Sequence, residues 1–326
     1  MKLIIRICLG LCWLLAGCTG KPSASIDATP TNAPIPLAGG GKSILVPPTL
    51  SPAEQTAVPG KSLVDLTLEN QSDWDVCYVY ISLPSDDTWG NDWLRTDEII
   101  QVGQNHIFKI QPGYYDIRAE NCDFVGLEEQ YEVDLTGPNG WVVRNPTILY
   151  TDSFQAIGSW KTSGSAAQGA ISDETYILSG SSSGDLALAT VGKNLDNLVL
   201  TVEATPLEPE GAAPSGYGVI CRVQPNGDGY LFLIRGDGMY GIFRSDHNER
   251  VPLVDWKSSQ NVITGPRLNV VEAHCDGQDL GLRINGVTVE KISDSNYSSG
   301  DIGLAVLPGE TGHVQAKFDN LVVIGP

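Results

Sequence analysis

The sequence predicts an all-β protein in which a long linker precedes two β-sandwich domains of unequal size. Short segments in which apolar and polar residues alternate recur from residue 63 to the C-terminus, and alternation is typical of half-buried strands. Turn-forming residues separate these segments in a chain with 36 Gly and 20 Pro. No segment of useful length shows the period of an amphipathic helix.

Composition and charge exclude several classes of protein. The 326-residue chain has 20 Lys+Arg against 39 Asp+Glu, which is a formal net charge of −19. We therefore expect no nucleic-acid partner, because phosphate binding needs clustered Lys and Arg. Hydrophobic residues make up 41% of the chain, more than a disordered acidic protein contains. No apolar run reaches the ~18 residues of a helix that spans a bilayer.

The N-terminus predicts an export signal. Lys2 and Arg6 precede the apolar segment 7–16, and small residues then lead to Cys18. The stretch Leu-Ala-Gly-Cys that ends at Cys18 resembles the lipobox of bacterial lipoproteins. The resemblance implies that residues 1–17 are a signal peptide and that acyl chains on Cys18 enter the lipid bilayer, where two chains anchor stably. The protein would then be exported and lipid-anchored at the bacterial cell envelope, facing outside the cytoplasm. The alternative is an ordinary signal with a chance cysteine.

Residues 18–60 comprise the lipidated cysteine and a linker rich in Pro, Ser, Thr and Gly. Eight of the 20 Pro lie between Thr19 and Gly60, a stretch with no aromatic residue. Such a segment buries too little apolar surface to offset its chain entropy. We expect a disordered spacer that holds the folded part clear of a membrane.

Residues 61–136 are predicted to form a small antiparallel β-sandwich. Leu66 and Leu68 alternate with polar neighbours, and further short strand patterns follow. The segment 74–135 resembles a small domain of bacterial surface and secreted proteins that has no established activity. The resemblance rests on Cys77–Ser82, Trp89–Leu94 and Tyr115–Cys122. Residues 137–147, with their Gly-Pro, Asn-Gly and Asn-Pro pairs, are predicted to be a linker.

An acidic loop in this small domain offers weak calcium candidates. Asp86, Asp87, Asn91 and Asp92 carry the oxygen ligands that Ca²⁺ prefers. Their spacing does not match the EF-hand pattern, and Asp and Asn also build turns. A further interpretation pairs Asp92 with Arg118 in a structural contact. We therefore expect no cofactor, with calcium as the one possibility to test.

Residues 148–326 are predicted to form the larger β-sandwich. Asp237-Gly238 and Asn285-Gly286 are strong hairpin signals, because these residues tolerate positive φ. This half resembles the concanavalin A-like lectin/glucanase (laminin G-like) jelly-roll sandwiches of bacterial surface proteins. The resemblance implies a jelly-roll fold that binds glycans, binds proteins, hydrolyses glycans or only supports its neighbours. It rests on Asp152–Phe154 with Trp160, Gly218–Arg222, Tyr230–Phe232, Gly238–Gly241, Leu280–Gly286, Gly300–Leu304 and Phe318–Val323.

Four cysteines remain once residues 1–17 are removed and Cys18 is lipidated: Cys77, Cys122, Cys221 and Cys275. Four cysteines allow three connectivities. We favour Cys77–Cys122 with Cys221–Cys275, because only this pairing keeps each bond inside one predicted domain. Disulfides require an oxidising compartment, in agreement with export. Zinc is the alternative, although no C-x-x-C pair is present.

No catalytic residue is predicted. Laminarinase-type glucanases of this fold carry closely spaced carboxylates on one strand face, a geometry that suits a retaining mechanism. Glu203 has no carboxylate two positions away, and Glu208 and Glu210 flank a proline in a predicted loop. The four His are scattered, without an H-x-x-x-H pair. We therefore do not expect an enzyme.

Five residues are candidates to line a concave, ligand-binding sheet face: Arg222, Asp228, Tyr230, Tyr240 and Trp256. Sugar rings stack on flat apolar faces rimmed by polar groups, which Trp141, Trp160 and Trp256 can offer; core packing is the alternative for each. The sequence favours a membrane-anchored lipoprotein whose sandwich binds a glycan or a surface protein without catalysis. The alternatives are a secreted glycoside hydrolase of the glucanase-like class and a purely structural surface module.

Overall fold

Among the described residues, the chain forms twenty-one β-strands and no helix. This agrees with the alternation of apolar and polar residues in the sequence. The structure is a computed structural model that describes residues 62–325 except 87, 157, 165, 182–183, 208–214, 248 and 311. These residues fall in one compact unit of the chain, Gly40–Pro326. The predicted signal, Cys18 and the linker 18–60 lie outside the described residues. Nowhere in the described ranges does a helix reach the length and apolarity needed to cross a membrane.

Two three-stranded sheets form a small lobe, residues 62–143. One sheet has the order β3-β1-β6 and the other the order β2-β4-β5. Leu66 and Leu68 of β1 are buried against Ile117 of the second sheet, as their alternation predicts. The strands are β1 (Val64–Asn70), β2 (Tyr78–Ser82), β3 (Asn105–Ile110), β4 (Tyr114–Glu120), β5 (Gly126–Asp134) and β6 (Asn139–Val143).

The small lobe extends beyond residue 136, where the sequence places its end. Strand β6 lies in the predicted linker and pairs in parallel with β1, with Trp141 opposite Leu68. Trp141 is buried in the lobe's core and is therefore not available to stack on a sugar. The Asn-Gly pair that indicated a turn stands at the first two positions of this strand.

An eight-stranded sheet is one layer of the large sandwich, residues 148–325. Its order is β19-β18-β17-β12-β21-β10-β9, and β7 also pairs with β21. The strands are β7 (Ile148–Asp152), β9 (Gln168–Ser172), β10 (Thr175–Gly180), β12 (Leu198–Pro206), β17 (Asn269–Asp276), β18 (Asp279–Ile284), β19 (Val287–Ser293) and β21 (Val314–Ile324).

A seven-stranded sheet is the second layer, with the order β16-β15-β14-β13-β20-β11-β8. The predicted hairpins β14–β15 and β18–β19 are both present, and Asn285 and Gly286 both have positive φ, 52° and 79°. The strands are β8 (Lys161–Ser163), β11 (Ala187–Thr190), β13 (Gly216–Val223), β14 (Gly229–Arg235), β15 (Met239–Asp246), β16 (Glu249–Ser258) and β20 (Asp301–Leu307).

The core lies between the two sheets and is apolar. Phe232 and Ile234 of β14 share it with Leu200 and Val202 of β12, and all four are buried. Each such side chain contributes about 1.5–3 kcal/mol when it leaves water. Trp160 is buried at the edge of this core, and its indole nitrogen donates to Asp152 at 2.7 Å, so Trp160 is a packing residue.

The two disulfides join the cysteines in the pairing that the sequence favours. Cys77 is bonded to Cys122 in the small lobe, and Cys221 is bonded to Cys275 across the two sheets of the large sandwich. These bonds fit a protein that folds outside the cytoplasm, because a reducing compartment would keep the thiols free.

Buried charges join the small lobe to the large sandwich at a contact we call the junction: Arg118, Glu120, Glu272 and Arg283. The Arg118 guanidinium lies 2.6 Å from Glu120 and 3.2 Å from Glu272 of β17. Arg283 of β18 lies 2.9 Å from Glu272 and 2.5 Å from Glu120. All four residues are 2% exposed or less. Buried charges persist only when they are paired, and these four residues pair with each other across the contact between the lobes.

A glycine lets the lobes approach each other beside these charges. A Cβ on Gly286 would lie 2.8 Å from the Phe124 ring and 3.2 Å from the Tyr80 hydroxyl. Alternation correctly predicts that Arg283 faces away from the core of the large sandwich. The small lobe covers that face, so Arg283 is buried although it lies on the polar side of its strand.

Candidate functional site

The seven-stranded sheet has a second apolar face, directed away from the sandwich core, which we call the outer face. Successive side chains of a strand point to opposite faces, so Leu231 and Leu233 of β14 belong here while Phe232 belongs to the core. The outer face continues over the neighbouring strands with Leu188, Ile220, Val223, Phe243, Ala305 and Leu307.

Trp256 and Arg250 of β16 lie over this apolar floor. The Trp256 ring packs on Phe243 at 5.1 Å, and the Arg250 guanidinium lies 5.6 Å from the same ring. Arg235 stacks on Trp256 at 5.0 Å. Trp256 reaches this face because the pairing of β15 with β16 is irregular at two places. Regular alternation would put it on the core side with Val254.

Two clefts open on the outer face, one on each side of Arg250. The first cleft has a volume of about 470 Å³, and its floor includes Leu188 and Leu231. The second cleft has a volume of about 330 Å³ and lies between Trp256, Arg235 and Leu307. Both volumes lie within the range of small-molecule sites. Arg250 lines both clefts.

Polar groups of the first cleft are held by hydrogen bonds around Asp228. This carboxylate is 4% exposed and accepts from the Asn226 amide at 2.6 Å, the His247 backbone N–H at 3.0 Å and the Ser245 hydroxyl at 3.3 Å. Asp228, Asp246 and His247 are the one group of potential metal ligands among the described residues. The hydrogen bond to Asp246 raises the pKa of His247, so protonation there competes with metal binding.

Arg250 has no carboxylate partner among the described residues. Its guanidinium donates to the Gly184 carbonyl at 3.5 Å and lies 5.6 Å from the centre of the Phe243 ring. Burial lowers the pKa of Arg250. The group remains charged at neutral pH, because an arginine pKa starts above 12. A partly desolvated positive charge therefore stands between the two clefts.

Of the five predicted ligand-binding residues, the structure places Asp228 and Trp256 at the clefts. Tyr230 and Tyr240 lie in the core between the sheets, which corrects the expectation that they line a ligand-binding face. The Tyr230 hydroxyl donates to Asp294 at 2.6 Å, and burial, with this hydrogen bond, raises the pKa of Tyr230 to about 12. The Tyr240 hydroxyl donates to the Val289 carbonyl.

Arg222 is likewise a structural residue, which corrects its prediction as a ligand-binding one. It is fully buried, and its guanidinium donates to the carbonyls of Asp196, Gly277 and Tyr297 at 2.8–3.0 Å. Its φ of 54° marks a break in the regular pairing of β13 with β20. The break turns the side chain toward the loops at the end of the sandwich.

The calcium candidates of the small lobe serve as turn and strand supports where they are described. The Asp92 carboxylate accepts from the backbone N–H groups of Val79 and Leu94, and Asp86 accepts from that of Leu83. Asn91 is exposed, and Asp87 lies outside the described residues. Arg118 is paired with glutamates of the junction rather than with Asp92.

A further hollow of about 780 Å³ lies on the small lobe, between the loop 95–101 and the residues 104–106. Its walls carry more polar than apolar surface, and no Trp, Tyr or Phe lines it. Without an aromatic face it offers no platform for a sugar ring, unlike the second cleft of the outer face, which Trp256 lines.

Sequence reasoning missed Arg250 and Arg235. Arg250 lies opposite Ser245 in the β15–β16 pairing, on the far side of a hairpin that the sequence did not predict. Arg235 stacks on Trp256 in the structure, but the two residues are distant in sequence. The order of the strands in the sheet brings them together, so local patterns do not reveal the contact.

Comparison with known proteins gives fold-level likeness alone. No family model matches the chain, and no curated protein matches it in sequence. It is similar to the carbohydrate-binding module CBM66 from Bacillus subtilis, with 15% identity over 52% of this chain and 96% of that one and a TM-score of 0.44. It is also similar to an endo-β-galactosidase from Clostridium perfringens that releases GlcNAcα1-4Gal, with 8% identity over 55% and 62% of the chains and a TM-score of 0.43.

Proposed function

We propose that the protein is a cell-envelope lipoprotein whose large sandwich binds a glycan on the outer face and does not cleave it. The observation that carries the proposal is the apolar floor with the partly buried Trp256 above it. Polar side chains surround the two clefts on this face. Sugars present apolar ring faces and hydroxyl edges, which match such a floor and rim.

The centre of the outer face supports binding rather than hydrolysis. A retaining glycosidase needs two carboxyl groups about 5 Å apart beside the scissile bond. Strands β13 and β14 contain no Asp or Glu, and β20 contains only Asp301. Asp301 accepts from the backbone N–H groups of Gly192 and Lys193 and is committed to that loop. These three strands of the floor therefore offer no acid–nucleophile pair. Asp228, at the first cleft, and Asp246 do have carboxylate oxygens within 4.8 Å of each other, but Asp228 already accepts three hydrogen bonds from the protein.

A glycan array on the full chain tests this function. We expect specific signals that fall at least about tenfold in Trp256→Ala, because a buried aromatic anchor dominates such contacts. Tyr131→Ala is the control, since this tyrosine is 61% exposed on the small lobe, away from the clefts. Binding that survives Trp256→Ala, or release of reducing sugar from a bound glycan, contradicts the proposal.

Membrane attachment is a separate part of the proposal and depends on Cys18. We expect the purified chain to begin at Cys18, to carry the added mass of acyl chains, and to sediment with membranes. Cys18→Ser should abolish the added mass and release the protein from the membrane fraction. An unmodified Cys18 in protein that does not sediment contradicts this part of the proposal and leaves glycan binding untouched.

A further inference from the structure

We infer that the glycan bound at the outer face is acidic, with a sugar carboxylate recognised by Arg250 at the second cleft. The inference rests on the proposed function and adds the chemical class of the ligand. It is carried by the Arg250 guanidinium, which lies over the apolar floor and has no carboxylate partner among the described residues, and by unequal charge in the two clefts.

The arginines that are more buried than Arg250 are already engaged. Arg118 and Arg283 face carboxylates of the junction, and Arg244 lies 2.7 Å from Asp294. Arg222 holds three backbone carbonyls, and Arg235 lies 2.6 Å from Asp237. Arg250 alone among the described residues combines a position over an apolar floor with no anionic partner. A ligand carboxylate would supply that partner in bidentate geometry.

The two clefts differ in the charge of their walls. The first cleft has three carboxylates, on Asp185, Asp228 and Glu249, against the Arg250 guanidinium. The second cleft has two guanidiniums, on Arg250 and on Arg235, which is paired with Asp237, and its lining holds the single carboxylate of Glu310. Like charges repel strongly where water is partly excluded, so an anionic sugar is disfavoured in the first cleft and favoured in the second.

This difference in charge determines which sugar unit of the ligand lies in which cleft. Carboxylates accept hydrogen bonds from hydroxyl groups, so the first cleft suits a neutral or hydroxyl-rich sugar unit. The second cleft places the Trp256 ring beside Arg235 and Arg250, which suits a ring with a carboxylate at its edge. The class of ligand that matches both clefts is an oligosaccharide that contains hexuronate.

Matched pairs of oligosaccharides test this inference with the full chain in titration calorimetry. Each pair consists of an acidic tetramer, in which one galacturonate, glucuronate or mannuronate unit stands among neutral sugars, and the neutral tetramer made by reducing its carboxyl group. We expect at least one acidic tetramer to bind about tenfold more tightly than its reduced counterpart, as for one charge-assisted hydrogen-bond pair. Raising the salt concentration from about 50 mM to about 500 mM should reduce this preference.

Variants locate the preference at one side chain. Arg250→Met should bring each pair to equal affinity, whereas Arg250→Lys should keep part of the preference, because it keeps the charge and loses the planar fork. Arg267→Met is the matched control, since Arg267 is exposed and, within the described part of the chain, its guanidinium donates to the Thr264 carbonyl. Circular dichroism and the unfolding temperature should show that all three variants are folded.

The outcomes separate this inference from the proposed function. Glycans that bind with equal affinity in acidic and reduced form overturn the acidic class and leave glycan binding intact. Tighter binding of an acidic tetramer that persists in Arg250→Met overturns the assignment to Arg250. No signal from any tetramer, together with a silent glycan array, overturns both.

Discussion

The junction and the outer face use arginine in opposite ways. At the junction, Arg118 and Arg283 are 2% exposed, and within 3.2 Å Arg118 has three glutamates and Arg283 has two. On the outer face, Arg250 is exposed to the clefts and has a carbonyl and an aromatic ring as its only described partners. A paired, buried charge fixes the arrangement of two lobes, whereas an unpaired charge at a cleft is free for a ligand.

The same contrast separates the two faces of the seven-stranded sheet. Its inner face packs against the eight-stranded sheet through buried apolar side chains. The outer face has comparable apolar residues, Trp256 and Arg250 of β16 lie over Phe243 there, and two clefts lie beside them. Burial by another sheet marks a core, while partial cover by an aromatic and an arginine marks a binding surface.

Removal of Arg118 is the largest expected effect on stability. Arg118→Met leaves Glu120 and Glu272 buried without one of their two arginines, and breaking such a buried network costs about 3–5 kcal/mol. Urea unfolding measures the loss. Asp65→Asn is the control, because the exposed Asp65–Lys109 pair contributes under about 1 kcal/mol. Equal effects of the two substitutions would show that the junction charges do not hold the lobes together.

Acid should weaken the junction through Glu272. Burial alone would raise the pKa of this carboxyl, but Arg283, Arg118 and the hydrogen bond with His274 hold it well below its usual range. The unfolded chain then binds the extra proton, so stability is present above about pH 4.3 and is lost as pH falls toward the folded-state pKa. One such proton contributes about 1.4 kcal/mol per pH unit.

Urea unfolding between about pH 5 and pH 2 tests this dependence. Glu272→Gln should have a lower free energy of unfolding at pH 7. In the acid range, its free energy of unfolding should change less steeply with pH, by the equivalent of one proton. Asp294, whose pKa is also lowered, contributes to the remaining slope in both proteins. An unchanged slope in Glu272→Gln would exclude Glu272 as the acid-sensitive group.

Most of the fold could be predicted from local sequence, because strands and tight turns are encoded by neighbours. Alternation predicts β1, and Asn285-Gly286 predicts the β18–β19 hairpin. Strand β6 could not be predicted, because its parallel pairing with β1 joins residues about seventy positions apart and its first residues resemble a turn. The burial of Arg283 depends on the position of the small lobe, which local patterns do not contain.

The site was harder to predict than the fold. Tyr230 and Tyr240 have the composition of a sugar platform, but register places them in the core, where their hydroxyls bond to Asp294 and Val289. Trp256 was predicted by type, yet it reaches the outer face only because the pairing of β15 and β16 is irregular. A change of register by one residue exchanges the two faces of a strand, and sequence alone does not show where it occurs.

A second carboxylate near the junction should reveal a smaller effect of opposite sign. Burial raises the pKa of Glu203 on β12, and the nearby charges of Asp123 and Asp319 add to the shift. The folded state therefore binds a proton more readily than the unfolded chain, and stability falls as pH rises through the folded-state pKa. Glu203→Gln should raise stability at pH 7 by about 0.5–1 kcal/mol and leave it unchanged at low pH. A loss of stability at pH 7 would contradict this account.

The smallest change in the free energy of unfolding is expected for substitution of Arg250, which we compare with the same substitution of Arg118. Arg250→Met removes a charge that has no carboxylate partner and keeps an apolar side chain over Phe243, so no buried group loses its counter-charge. We expect the free energy of unfolding to change by less than about 0.5 kcal/mol, against several for Arg118→Met, although the substitution is chemically the same. Parallel urea titrations of the two variants measure this difference directly. A loss at Arg250 as large as that at Arg118 would mean that Arg250 is a structural residue, and the clefts would then have no charge reserved for a ligand.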